Sequence, residues 1–224
     1  MRVSKLGLGI GLIVVADVVV LGMTVAQTPT ILHSGGLTGF IAALFAVLFY
    51  GYLALMSPVA IGRLKQSILG PAVGLGVISG VMLGLDLLSG YLFPDPQLSA
   101  KTSLLAYGLT LLSILIGGYI GARRTGKLAT GMKGALAVTL ISLLIWFLAE
   151  FTLLFLFANT RAGAVFIGDE MKNDFLRSGT TDYQAFVLSD FYGAGFFHLL
   201  LGLIITPIIG GIGVLISRIN RDII

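Results

Sequence analysis

The sequence contains no cysteine and few charged residues, and both shortages narrow what the protein can be. Without cysteine, the chain can form no disulfide, no iron–sulfur cluster and no thiol nucleophile. Charged residues make up 11% of the sequence and hydrophobic residues 57%, whereas soluble domains contain about 25% charged residues. This composition predicts one integral membrane domain over residues 1–224, because no polar stretch is long enough to form a separate soluble domain.

Histidine is also scarce, and the common catalytic patterns are absent. His33 and His198 are the two histidines, which argues against a zinc site built from protein ligands. The glycine-flanked serine of hydrolases and the phosphate-binding loop of nucleotide-binding proteins are missing. The net charge is +4, but the basic residues lie beside hydrophobic segments and form no patch with interleaved aromatics. We therefore expect neither an enzyme nor a nucleic-acid partner.

Six apolar segments are each long enough to cross a bilayer as a helix. The pair Pro94 and Pro96 separates the third segment from the fourth, since proline cannot continue the helical hydrogen bonding. The sequence therefore predicts an all-α membrane protein of six transmembrane helices. These helices are expected at about residues 6–26, 37–61, 70–93, 102–121, 134–158 and 194–216.

The longest connection, residues 159–193, is predicted to be an outer loop with short interfacial helices. One helix is expected from Asp169 to Arg177. A second is expected to begin at a capping box formed by Thr181 and Gln184 and to run through Phe191 and Tyr192 into the sixth span. A lid over the bundle and a docking surface for other membrane subunits both fit this loop. The second interpretation follows from its five acids, which are Asp169, Glu170, Asp174, Asp182 and Asp190.

Lysine and arginine are distributed unevenly between the two sides of the predicted bundle. Ten fall on one side, namely Arg2, Lys5, Arg63, Lys65, Arg123, Arg124, Lys127, Lys133, Arg218 and Arg221. Four fall on the other side, namely Lys101, Arg161, Lys172 and Arg177. By the positive-inside rule, both termini are predicted to be cytoplasmic, and we expect a prokaryotic cell membrane.

The six helices can be read as three hairpin-like repeats. Each even-numbered helix ends in an Ile/Gly motif that precedes an arginine, and the first of these motifs is Ile61-Gly62-Arg63. Each odd-numbered helix carries a single acid within its apolar part. We interpret this pattern as a degenerate triplication of one helical hairpin.

Glycines four residues apart form bare faces on two helices, since residues at this spacing are neighbours on a helix surface. Small-residue faces let helices approach closely in lipid. We therefore predict helix packing at these faces, with a channel lining or a flat pigment as the alternatives. The glycines are Gly76, Gly80 and Gly84 in the third helix, and Gly117 and Gly121 in the fourth.

The acids of the odd-numbered helices, Asp17, Asp86 and Glu150, are predicted to lie in one layer about 10 to 14 Å below the outer surface. An acid near the bilayer centre costs about 2.5 to 3.5 kcal/mol. The three acids are therefore expected to face the bundle interior, either hydrogen-bonded or protonated. Tyr107 and His198 should enter the same layer. This polar layer has three interpretations. The acids could bond to local structural partners, form a proton or cation site, or bind a small solute.

Two functions remain open from the sequence. The first is a non-enzymatic membrane subunit that packs through its glycine faces inside a larger complex. Membrane lipid is its expected partner, and a chlorophyll-type pigment is an alternative for which His198 is a weak axial ligand. The second is a small transporter or solute-binding component that uses the acidic layer.

Overall fold

A computed structural model describes residues 5–33, 35–55 and 64–222, and this part of the chain is helical without strands. Six of its helices are long and apolar enough to cross a membrane, which confirms the predicted all-α class and the six spans. The α-helices are α1 (Lys5–Gln27), α2 (Leu37–Leu55), α3 (Gln66–Leu92), α4 (Pro96–Thr125), α5 (Leu128–Phe157), α6 (Arg161–Ser178) and α7 (Tyr183–Asp222). A 3-10 helix, Pro29–Leu32, connects α1 to α2.

Helix α5 is the centre of the bundle. It packs against α1, α3, α4 and α7, and 50% of its most apolar segment is buried, the largest share among the six spans. Between Lys133 and Glu150 the helix carries no charge, so every face of this segment can contact another helix. Phe147 and Phe151 on α5 are completely buried. The other spans are arranged around this helix.

Helices α3, α4 and α5 begin four to six residues before the predicted positions, because polar end turns continue the apolar helices. Helix α4 begins at Pro96 and not at 102, since the Asp95 side chain accepts hydrogen bonds from the N–H groups of Gln97 and Leu98, at 2.8 and 3.3 Å. Proline at the first helical position suits such a start. Helix α3 starts at Gln66 rather than 70 and α5 at Leu128 rather than 134. The helices predicted from the apolar segments were therefore too short at their N-terminal ends.

The predicted sixth span and the second loop helix are one helix, α7, which runs without interruption through Pro207. The predicted capping box of Thr181 and Gln184 is wrong. Asp182 caps α7, because its carboxylate accepts the N–H of Ala185 at 3.0 Å. The Gln184 amide instead donates to the Asn159 side chain at 2.7 Å.

Helix α6 occupies the first half of the predicted outer loop. It is bent at Gly168, whose φ of 74° places it in the left-handed region, and it ends before Gly179 at φ 73°. An ion pair of 2.6 Å joins Asp174 to Arg177 in its last turn. The predicted helix from Asp169 to Arg177 thus forms the part of α6 after the bend. The side chains of Asp169 and Glu170 lie outside the described residues.

Each sequential pair of spans, α1 with α2, α3 with α4 and α5 with α7, is in contact. The hairpin repeat itself stays a prediction, as does the cytoplasmic position of the termini. The first repeat motif, Ile61-Gly62-Arg63, lies outside the described residues, as does the predicted part of the second helix beyond Leu55.

Replacing Asp182 by alanine should destabilise the start of α7 by about 1 kcal/mol at neutral pH, because the cap of the helix is lost. Asp182 also accepts the Thr30 hydroxyl at 2.5 Å. The bonds from Ala185 and Thr30 lower the pKa of Asp182 below its ordinary 3.8. Its contribution is therefore present above about pH 4 and is lost as the pH falls through the folded-state pKa.

Thermal unfolding in detergent, followed by the fluorescence of buried Trp146, measures this effect. The difference between the wild type and Asp182→Ala should shrink below about pH 4. Asp174→Ala is the control, because Asp174 pairs with Arg177 at the exposed end of α6 and surface pairs contribute little. Equal effects of the two substitutions would contradict the assignment of the cap.

Candidate functional site

Three acids lie inside the spans at similar distances from the helix ends. Asp17 precedes the end of α1 by ten residues, Asp86 precedes the end of α3 by six, and Glu150 precedes the end of α5 by seven. These positions are roughly 9 to 15 Å inside the helix ends. Asp17 is 0% exposed and Glu150 is 6% exposed, while Asp86 is half-buried. Asp17 and Glu150 therefore face the interior of the bundle.

The buried acids have few hydrogen-bond partners. Neither carboxyl oxygen of Asp17 has one, and neither Oε2 of Glu150 nor Oδ1 of Asp86 has one. The other oxygen of Asp86 accepts the hydroxyl of Ser103 at 2.9 Å. In an apolar interior, a carboxyl group without a donor is far more stable as the neutral acid than as the anion. The arrangement therefore suits groups that gain and lose a proton when their surroundings change.

The register of α3 against α5 brings Asp86 and Glu150 to the same level. A Cβ atom on Gly84 would lie 3.0 Å from Cβ of Ala149. Asp86 follows Gly84 by two residues on α3, and Glu150 is next to Ala149 on α5. The two acids are thus at one depth on neighbouring helices.

Tyr107 of α4 completes this group. Tyr107 is 45% exposed and lies one turn of α4 after Ser103, whose hydroxyl donates to Asp86. Ser103 precedes Tyr107 by four residues and shares its helix face, so this spacing could have identified Ser103 from the sequence. Tyr91 of α3 is the second member that the sequence analysis missed. Its hydroxyl is buried without a partner, and it lies within electrostatic range of Glu150.

The polar cluster is therefore defined by side chains from α3, α4 and α5. Its members are Asp86, Tyr91, Ser103, Tyr107 and Glu150.

Asp17 lies on α1, which packs mainly against α2 and α5. Its place in the predicted polar layer beside the other acids stays a prediction. Depth along a helix can be read from the sequence, whereas the side of α5 on which each acid lies cannot.

His198 lies beside the polar cluster on α7. Its Nδ1 is 2.8 Å from the carbonyl oxygen of Ala194. Because a carbonyl only accepts, Nδ1 carries the proton, and in the neutral ring Nε2 is left as an acceptor. The ring packs against Trp146 with 4.8 Å between the centroids. His198 is thus fixed in orientation, with one basic nitrogen available.

Two cavities meet at His198. A half-enclosed cavity of about 80 Å³ is lined mostly by apolar side chains, together with His198, Tyr107, Thr110 and Thr139. On the other side, an open groove along α7 is lined by His198 and Asp190. The histidine is therefore a shared wall between the groove and the cavity.

The predicted packing glycines lie at close helix contacts. Added Cβ atoms on Gly76 and Gly80 would lie 2.8 and 2.7 Å from Cβ of Ile141 and Ile145 on α5. A Cβ on Gly117 would lie 2.8 Å from Cγ2 of Val138. Further contacts of this kind are those of Gly84 with Ala149, Gly121 with Gly131, and Gly118 with Gly210.

Metal binding finds no support in the part of the chain that the structure describes. No group of three or more His, Cys, Asp or Glu side chains is placed there to hold a metal ion. The axial-ligand role of His198 toward a pigment stays a prediction.

Six apolar helices, five of them arranged around α5, define the class as that of integral membrane proteins. Comparisons with known proteins give no match to a protein-family model, to a curated protein or to a solved structure.

Proposed function

We propose that the protein is a small membrane transporter in which buried acids bind and release a proton as a solute moves. The observation that supports this function is the set of carboxyl oxygens without hydrogen-bond partners on Asp17, Asp86 and Glu150. Ionisable residues inside a membrane span are costly and commonly mark ion or proton pathways. An acid that served only to hold two helices together would gain stability from a donor, which these oxygens lack.

The polar cluster is the proposed proton site. When Glu150 is neutral, it buries no unpaired charge. A cationic or hydrogen-donating solute that enters the cavity would stabilise the anion, so binding of the solute and release of the proton would be linked. Tyr107 borders the cavity and lies one helical turn from Ser103, which donates to Asp86, and its hydroxyl is the proposed link between the cavity and the acids.

His198 is the proposed entry point. The open groove beside Asp190 and the inner cavity beside Tyr107 share this residue as a wall. Its Nε2 is left as a hydrogen-bond acceptor, because Nδ1 donates to the Ala194 carbonyl. The route that we propose therefore runs from Asp190 past His198 to Tyr107 and then to Glu150.

The glycine contacts have a supporting role in this proposal. Gly76, Gly80 and Gly84 face α5 of the same chain, so this glycine face is used inside the bundle. Close contact between α3 and α5 would keep lipid away from Asp86 and Glu150. This use of the glycines weakens the case for a partner subunit on that face.

Proton movement in reconstituted vesicles tests the function. Vesicles that contain the protein and an internal pH-sensitive dye would receive a pH gradient and a panel of amino acids, sugars, amines and monovalent cations. We expect at least one of these classes to change the internal pH beyond the leak of protein-free vesicles. A folded protein that moves no protons with any of them would refute the proposal.

A non-enzymatic subunit of a larger membrane complex is the second function, and one observation favours it. Leu176 near the end of α6 is 75% exposed, although α6 is not among the six spans. An exposed leucine outside the bilayer is suited to docking another membrane protein. Native mass spectrometry of the protein extracted from its own membrane tests this: a bound partner supports the subunit, and the mass of the chain alone opposes it.

A further inference from the structure

A half-enclosed pocket lies beside α6, where α1 and α5 end and α7 begins. Its buried walls are the apolar side chains of Leu154 on α5 and of Val187 and Leu188 on α7. Ile167 of α6 lines it as well. The volume of the pocket is about 50 Å³, which leaves room for a solute of only a few non-hydrogen atoms. The pocket therefore suits a small molecule with a short apolar part.

Uncharged hydrogen-bonding side chains surround the mouth of the pocket. They are the exposed amides of Gln27, Asn159 and Gln184 and the half-buried hydroxyl group of Thr28. Among the residues that the structure describes, no acid, lysine, arginine or histidine lines the pocket. A charged solute would lose water there without gaining a partner of opposite charge. The lining therefore selects an uncharged solute with hydrogen-bonding groups.

Two of these amides hold each other in place. Nε2 of Gln184 donates a hydrogen bond to Oδ1 of Asn159 at 2.7 Å. Gln184 is the second residue of α7, and Asn159 directly follows the C-cap of α5, so both side chains start from helix ends. Their mutual bond leaves Nδ2 of Asn159 as a donor and Oε1 of Gln184 as an acceptor. One donor beside one acceptor is the complement of a primary carboxamide.

Thr24 of α1 closes the pocket toward the interior of the bundle. It is buried, and its hydroxyl already donates to the carbonyl of Leu21 at 2.8 Å and bonds the hydroxyl of Tyr192 at 2.9 Å. A polar side chain whose bonds are satisfied adds little hydrogen bonding for a ligand. The polar end of a solute is therefore expected at the mouth, with its apolar end inside.

We propose that this pocket binds a small uncharged carboxamide. The carboxamide oxygen accepts from Nδ2 of Asn159, the carboxamide nitrogen donates to Oε1 of Gln184, and a short alkyl chain packs against Leu154 and Val187. The site does not depend on the transport function, since none of its lining residues belongs to the polar cluster.

Saturation-transfer NMR with propionamide tests the site. The full chain in detergent would be compared with protein-free micelles, and propionate and propylamine would serve as analogues of similar size that are charged at neutral pH. A ligand this small is expected to bind with a Kd on the order of 1 mM. Propionamide should bind about fivefold more tightly than either charged analogue. Equal binding of the three compounds would overturn the proposal.

Replacing Gln184 by leucine should weaken the binding of propionamide about fivefold, because the acceptor and the support of Asn159 are both lost. Gln97→Leu is the matched control. Gln97 is also an exposed glutamine at the second position of a helix, α4, but it does not line the pocket. Equal effects of the two substitutions would show that the Gln184 amide does not bind the ligand and would overturn the assignment.

Asn159→Asp should change which compound binds. Aspartate still accepts the bond from Gln184, but it offers a negatively charged acceptor in place of the Nδ2 donor. We expect propionamide to bind about fivefold more weakly and propylamine, as its ammonium ion, about fivefold more tightly. The fluorescence of Trp146 during thermal unfolding checks that the variant is folded. Unchanged binding of both compounds by the folded variant would contradict the proposed role of Asn159.

Discussion

Replacing Glu150 by glutamine is expected to abolish proton movement in the reconstituted protein while leaving its fold intact. Glutamine has nearly the same shape as the protonated acid, so it fits the space beside Phe147 and Phe151 without a new cavity. It cannot release a proton at any pH near neutrality. Because Glu150 is 6% exposed and its Oε2 has no partner, the neutral amide should not destabilise the bundle.

Two measurements on the same sample separate function from folding. Dye-reported proton movement in vesicles should fall to the level of protein-free vesicles, while the unfolding temperature reported by Trp146 should stay near that of the wild type. Asp95→Asn is the matched control: it also removes a carboxylate, but asparagine still caps α4 at this exposed position. If Glu150→Gln moved protons as fast as Asp95→Asn, Glu150 would have no part in transport.

Replacing Gly80 by leucine should have the largest effect on stability. Even a single Cβ at this position would lie 2.7 Å from Cβ of Ile145 and 2.8 Å from the backbone oxygen of Ser142. A backbone atom cannot rotate away, so α3 and α5 would have to separate, at a cost of about 3 kcal/mol or more. We expect little folded protein after extraction, with a lowered unfolding temperature in what remains.

Gly74→Leu supplies the control on the same helix. No atom lies within 4 Å of a Cβ at Gly74, and leucine favours helix more than glycine does. This variant should therefore fold at least as well as the wild type. Size-exclusion chromatography in detergent measures the folded fraction of both variants, and similar yields would show that the contact of α3 with α5 tolerates a larger side chain.

Much of the fold could be predicted because a membrane demands long apolar helices, and their length and hydropathy are read directly from the sequence. The helix ends were harder. Asp95 and Asp182 extend α4 and α7 through capping hydrogen bonds. Helix ends that are predicted from hydropathy alone miss such capping residues. Thr181 also resembles a cap in the sequence, and only the backbone geometry decides in favour of Asp182.

The candidate site could be predicted in part, for a similar reason. Helical rise gives the depth of Asp86, Tyr107 and Glu150, since depth depends on position along one helix. Which helix packs on which side of α5 depends on the order of the six helices in the bundle. The hydrophobic period of a single helix does not determine this order. Tyr91 was therefore missed, and the position of Asp17 relative to the other acids stays a prediction.

The place of α5 at the centre of the bundle has a consequence for biosynthesis. Ribosomes deliver the spans in order, so four helices are made before their central partner is available. Until then, the glycine face of α3 lacks the helix that covers it. The nascent protein must therefore hold its first four spans as a loose, polar-containing intermediate, either beside the insertion machinery or in lipid, and it can close only after residue 157 has been synthesised.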